Sequence, residues 1–186
     1  EAAMRALADT VPLFAPDVQV ITLPAWDCLP YDRSSPALRV MAERMAALNA
    51  LQAPRQGPQL LIATANAATQ RLVTPFRVRQ LTRRLAEGER VEREALVGLL
   101  TANGYQRTDA VHDAGDFAVR GSILDLFPAG QPEPIRLDFF GDEIETMWRF
   151  DPADQRTTGP AEAFTLMPAS EALLDEDSVK RFRARY

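Results

Sequence analysis

The sequence predicts a mixed α/β chain: a small, partial parallel α/β layer, an α+β antiparallel-sheet unit inserted into it, and a short return to the layer. Three observations carry this. In the first third, β-branched runs closed by proline alternate with amphipathic stretches of three-and-four spacing. From 78 to 154, short alternating strands joined by glycine turns follow one another, with a single helix among them. After 155, a strand-like run and a capped helical stretch bring back the texture of the beginning.

The elements follow in order. Residues 3–8 form a short helix. Val18 to Leu23 is β-branched, closed by Pro24, and predicts a strand. A proline-bracketed loop ends at Ser35-Pro36, where a hydroxyl N-cap followed by proline at the first helical position starts a helix running to about Gln52. Leu38, Met41, Met45, Leu48 and Leu51 form its stripe. Leu60 to Thr64 is a buried-strand run, and Asn66 caps a helix to about Leu72 that Pro75 terminates. Val78 to Leu85 alternates enough for a strand. Arg93 to Asn103 is a helix with Leu96, Leu99 and Leu100 on one face and Gly104 at the left-handed C-terminal position. Strands are expected at 105–111, 116–120, 122–127 and 135–139. Gly141-Asp142 then turns a hairpin into a strand on which Ile144, Thr146, Trp148 and Phe150 alternate. Residues 151–160 are a polar turn, 164–168 a last strand, and Ser170 caps a final helix. This divides the chain into 1–77, the insertion 78–154, and the returning segment 155–186.

Composition removes whole classes of chemistry. With 186 residues, 46% apolar and 25% charged, the chain is an ordinary globular one; its net charge of −5 argues against coating nucleic acid by bulk positive charge. All but one of the 21 basic residues are arginine. The exception, Lys180, follows Val179 and precedes Arg181, so there is no Walker A loop. The single cysteine and single histidine, Cys28 and His112, rule out an internal disulfide and a Cys/His zinc site. No apolar run is long enough to span a membrane. The start at Glu1, with neither Met nor a leader pattern, is expected of a piece of a longer cytoplasmic protein.

Few residues look catalytic. No G-x-S-x-G elbow accompanies His112, which reads as a turn histidine. Cys28 has no basic neighbour to lower its pKa and reads as a packed thiol. The carboxylates Asp138, Asp142, Glu143 and Glu145 cluster at a hairpin end, where such groups are solvated. Charge distribution says more: residues 71–94 carry seven arginines against four glutamates, and 125–154 carry eight carboxylates against Arg136 and Arg149. Opposite signs on adjacent segments fit mutual neutralisation or a polar docking surface. The most distinctive stretch is Gly115-Asp116-Phe117-Ala118-Val119-Arg120-Gly121. Phe117 and Arg120 lie three apart on it, hence on opposite strand faces. Arg120 fits either an exposed edge arginine or a partner anchor.

Several separated motifs carry a resemblance. Leu29-Pro30-Tyr31-Asp32 with Ser35-Pro36 and Glu43-Arg44, the stretch Gly104 to Asp109, the stretch Gly115 to Pro128, and Arg136 to Glu145 resemble the N-terminal region of the bacterial transcription-repair coupling factors, the Mfd family. That region is similar to the first domain and inserted second domain of UvrB, the damage-loading subunit of nucleotide excision repair. The resemblance covers about residues 18 to 186. It implies a helicase-like UvrB domain 1 layer without its motor, carrying a UvrB domain 2-like insertion that binds UvrA. On that implication Arg107, Arg120, Phe127 and Phe117 are the UvrA-binding residues. UvrB has a further arginine where this chain has Ala118. The resemblance implies no cofactor in this segment; ATP and magnesium, RNA polymerase and DNA would engage other domains of the parent. The alternatives are a DNA-binding element using the arginines of 71–93 and a residual nucleotide hydrolase, the latter disfavoured by the lysine count.

Overall fold

The computed structural model describes residues 1–29, 35–172, 180 and 183–184. The helix α1 (Ala2–Phe14) is longer than the expected 3–8 and tolerates Pro12 in its last turn. Arg5 ties it to the next helix through Glu43 at 2.9 Å. Strands β1 (Gln19–Leu23) and β2 (Gln59–Ala63) pair in parallel, Gln19 beside Gln59, with α2 (Leu38–Ala50) as the crossover between them.

Helix α2 starts later than Ser35-Pro36 predicts. Its N-cap is Ala37, which uses no side chain of its own; the Ala37 amide instead donates to Asp27 Oδ1 at 2.9 Å, from the loop after β1. A carboxylate distant in sequence does the work expected of Ser35. The buried face is also shifted: Val40, Ala42, Arg44, Met45, Ala47 and Leu48 are buried, and Leu51 is exposed.

Two further readings change around Pro75. Helix α3 (Ala65–Thr69) is capped by Thr64, whose hydroxyl accepts from Ala67 N, and not by Asn66; it ends before Leu72. Pro75 then starts a helix rather than terminating one. In α4 (Pro75–Leu81) it occupies the first turn behind Thr74, which accepts from Arg77 N, so residues 78–81 are helical and strand β3 is only Arg83–Ala86.

Helix α5 (Arg93–Ala102) is followed by Gly104 at φ +82°, as the sequence predicts. Six strands then form one sheet in sequence order: β4 (Gln106–Arg107), β5 (Asp116–Arg120), β6 (Ile123–Leu126), β7 (Ile135–Phe140), β8 (Glu143–Phe150) and β9 (Thr157–Pro160). Strand β4 is two residues long, not the span 105–111, and runs parallel to β5; the other pairings are antiparallel. The chain leaves β4 at once because Asp116 Oδ2 gathers the amides of His112 and Asp113 at 3.1 and 3.0 Å, closing a loop in place of a strand. Strand β9 adds a sheet edge where only a polar turn is expected.

The register of β7 and β8 shifts between Asp138 and Phe139. One residue of slip exchanges the two faces of a strand. Ile144 remains buried, but beyond the bulge Met147 takes the core position opposite Leu137, and Thr146 and Trp148 turn to the other face. Their expected alternation with Ile144 therefore does not hold. The core lies between this sheet and α5, where Leu96 and Leu100 meet Phe117, Leu124, Leu126, Leu137 and Met147. Strand β10 (Ala163–Leu166) pairs antiparallel with β3 and adds Phe164 and Leu166 to the same core.

Past β10 the chain reaches α2: Ser170 Oγ lies 3.3 Å from Met41 Sδ, and Glu171 pairs with Arg44. Ser170 Oγ accepts from Ala172 N at 3.0 Å; of the final helix expected behind it only Lys180 and Arg183 are described, both helical, and the rest lies outside the described residues.

Candidate functional site

Strand alternation sorts the distinctive residues of β5. Phe117 and Val119 pair with Leu126 and Leu124 and point into the core; Phe117 is 1% exposed, which withholds its ring from any partner in this conformation. Ala118 and Arg120 point the other way, onto the outer face. Ala118 is buried there with Val111 and Phe150, and Phe127 packs half-buried against the same group. Arg120 and Phe127 thus share a face.

Arg107 does not share it. Its register places it beside Phe117, on the side opposite Arg120 and about 10 Å along the strand from it, at ~3.3 Å per residue. It is exposed because β4 is the outermost strand, and among the described residues its guanidinium has no ion-pair or hydrogen-bond partner.

Arg120 is held through one nitrogen of its guanidinium. Its Nη2 donates to Asp125 Oδ2 across the β5–β6 pair, and the arginine side chain is 50% exposed while the carboxylate is fully buried. Asp125 is also gripped from the other strand: Arg136 Nε donates to Oδ1 at 2.7 Å and Nη2 to Oδ2 at 3.0 Å, a bidentate fork. The Arg136 guanidinium lies 4.8 Å from the centre of the Phe150 ring, and its hydrogen bonds to Asp125 raise its pKa further above the ordinary arginine value. Next on the same face, Asp138 accepts from Ser122 Oγ at 2.9 Å, and Trp148, 39% exposed, stands opposite Arg136 on β8.

The turn beyond Arg120 is braced from behind. Gly121 adopts φ +61°, and its carbonyl accepts from Arg93 Nη1, at the start of α5. Arg93 also pairs with Glu94 at 2.6 Å, and that hydrogen bond holds the Glu94 carboxyl below its usual pKa. Two arginines, Arg120 through Asp125 and Arg93 through the Gly121 carbonyl, therefore fix the end of the β5–β6 hairpin.

The sequence singles out Arg107, Arg120, Phe127 and Phe117 and does not single out Asp125, Arg136 or Trp148, which the structure places around Arg120 and its partner. The signal for Asp125 was one charged residue inside the apolar run Ile123-Leu124-Asp125-Leu126-Phe127. A buried carboxylate requires a buried partner, which a single strand cannot show. The opposite charges of 71–94 and 125–154 meet at Arg90 and Glu143, 3.6 Å apart. The residues first weighed for catalysis are scattered. His112 Nδ1 lies 3.0 Å from the Pro152 carbonyl, and Cys28 is a half-buried free thiol. Among the described residues no group of three or more His, Cys, Asp or Glu is placed to hold a metal ion, and no helix is long and apolar enough to cross a membrane.

Comparison with known proteins bears on the same region. Residues 84–171 match the family model described as the UvrB interaction domain. The chain is 36% identical over 170 residues to the transcription-repair-coupling factor of Escherichia coli (strain K12), covering 91% of this chain and 15% of that protein. It is 40% identical over 170 residues to the factor of Myxococcus xanthus, covering 91% and 14%. UvrABC system protein B of Campylobacter fetus subsp. fetus (strain 82-40) is 32% identical over 123 residues, 66% of this chain and 19% of that protein. The chain therefore spans about 15% of the length of the coupling factors it matches.

Proposed function

From a chain that belongs to the transcription-repair-coupling factor family, as a UvrB-like segment of it, we infer a non-catalytic docking module that binds the excision-repair protein UvrA. The observation that carries this is a coincidence of place. The residues matched to the UvrB interaction domain, 84–171, take in the six-stranded sheet, and that sheet presents a half-exposed arginine on its outer face. Arginine offers planar, directional donors to carboxylates and is enriched among the residues that dominate protein interfaces.

In this reading Arg120 and Phe127 form one contact surface, Arg107 a second contact at the sheet edge, and Phe117 supports β5 from the core. A UvrB domain 1-like layer built on segment 1–77 frames the inserted unit, and the chain returns to it only beyond β10, where Ser170 and Glu171 reach α2. The parent factor would bring UvrA to damage at stalled RNA polymerase in the cytoplasm, with ATP, magnesium and DNA handled by its other domains.

Titration of purified UvrA against the chain and its variants tests the reading. Arg107→Ala and Arg120→Ala are each expected to weaken binding by about 1–3 kcal/mol, as truncation of an interface anchor does, with unchanged far-UV circular dichroism. Unchanged affinity in both variants removes the site. Absence of binding by the unaltered chain removes the function.

A further inference from the structure

We propose that Asp125 is the positioning residue of the docking face: together with Arg136 it aims Arg120 outward and leaves that arginine's charge available to a carboxylate on the docked partner. The proposal rests on the docking reading above and adds to it the chemistry of the partner group and the device that selects it.

The argument begins with charge. One buried carboxylate faces two guanidiniums, so the three groups together carry a net positive charge. Arg136 is the committed member: it takes Asp125 with a two-bond fork, leans on the Phe150 ring and is only one-fifth exposed. Arg120 uses one nitrogen for Asp125, and the rest of its guanidinium has no other partner among the described residues. An arginine has five N–H donors, so several remain to meet a ligand.

Without Arg136, Arg120 and Asp125 would form a neutral pair, and an incoming carboxylate would have to compete with Asp125. With Arg136 present, Asp125 is already neutralised. It then serves Arg120 as an orienting acceptor rather than as a competitor. A long side chain held in one orientation before contact loses less freedom on binding. The adjacent carboxylate Asp138 accepts from Ser122 Oγ and, among the described residues, forms no ion pair with Arg120 or Arg136, both of which pair with Asp125 instead.

Two measurements test the proposal. The first needs no variant: in the unaltered chain, NMR should show slower guanidinium rotation for Arg120 than for Arg107, which has no partner among the described residues. Equal rates overturn the proposal.

The second is a double-mutant cycle read by UvrA titration. Arg120→Ala should weaken binding roughly tenfold or more and Asp125→Asn about three- to tenfold, while adding Asp125→Asn to Arg120→Ala should cost less than about twofold, because the two side chains act as one unit. An equal loss from Asp125→Asn in both backgrounds marks a merely structural role and overturns the proposal. Loss on Arg120→Ala with none on Asp125→Asn also overturns it, and leaves the docking reading intact. No effect of Arg120→Ala overturns the proposal, whereas the docking reading itself falls only if the unaltered chain does not bind UvrA.

Discussion

Tyr105 shows how much a single side chain can hold in this fold. Its ring is buried in the core behind α5, and its hydroxyl donates to the Met167 carbonyl at 2.8 Å while accepting from Ala129 N at 3.2 Å. One oxygen thereby ties the segment after β10 to the turn between β6 and β7. Burial pushes the phenol pKa well above its usual value, so the hydroxyl remains a donor. Tyr105→Phe leaves a buried amide and a buried carbonyl without their partner. It should cost about 1–3 kcal/mol in urea unfolding, the usual penalty for an orphaned buried group. The raised pKa also has a sign. Stability is fully present below the unfolded phenol pKa of about 10 and is lost as pH rises above it, because the unfolded chain releases a proton that the folded chain keeps. Unfolding curves at about pH 8 and 11 should separate more for the unaltered chain than for Tyr105→Phe, in which that linkage is absent. Equal separations would show that Tyr105 does not contribute it.

At the scale of elements, the end of α5 offers a clean comparison between backbone strain and crowding. Gly104 has φ +82°, and a Cβ added there would stand 2.4 Å from the Ser170 Cβ. Gly88 has φ +77°, with nothing within 4 Å of an added Cβ. Both glycines supply a left-handed conformation, but only Gly104 also admits another segment of the chain. Gly88→Ala should therefore cost about 1 kcal/mol, the strain of the left-handed region alone, and Gly104→Ala distinctly more. Equal losses by thermal or urea unfolding would mean that Ser170 moves aside freely.

The same scale shows which parts of the fold the sequence discloses. Helix α5, its glycine and the β7–β8 hairpin are legible because each is signalled by residues next to one another. The Thr74-Pro75 start carries the same kind of local signal as Ser35-Pro36, yet only the first begins a helix. At the second, Asp27 reaches in from a separate loop to take the Ala37 amide, and no local pattern records it. The β7–β8 bulge was hidden for a related reason: a one-residue slip depends on the partner strand. The candidate site divides along the same line. Arg107, Arg120 and Phe127 stand in legible motifs, whereas the Asp125–Arg136 fork exists only after β6 and β7 pair.

The whole molecule is closed by a buried cluster that joins segments far apart in sequence. Arg44, on α2, is fully buried and satisfied on every side. It donates from Nε to Glu171 at 2.7 Å and from Nη1 to the Pro24 carbonyl at 2.6 Å and Gln70 Oε1 at 3.0 Å, with the Trp26 ring 5.6 Å away. Trp26 Nε1 in turn donates to Glu171 at 2.6 Å. Glu171 lies just beyond the six-stranded sheet and β10, so this carboxylate is where the chain leaving that sheet is fastened to α2 and to the loop after β1. Attraction alone does not make a buried ion pair strongly stabilising, because both charges lose their hydration. Removing one partner is another matter, since the remaining charge stays buried without compensation. Glu171→Gln or Arg44→Met should each cost about 3–5 kcal/mol, a large share of the stability of a typical domain. The double variant should lose less than the sum of the two, since neither charge is then orphaned. Trp26 supplies the local readout: in a Trp148→Phe background it is the sole tryptophan, and its emission should shift red in Glu171→Gln as the cluster admits water. A variant that retains full stability and unshifted emission would show that α2 and the sheet are held together elsewhere, by the Ser170–Met41 contact or by the packing of Ala42 against Ala129 and Met167.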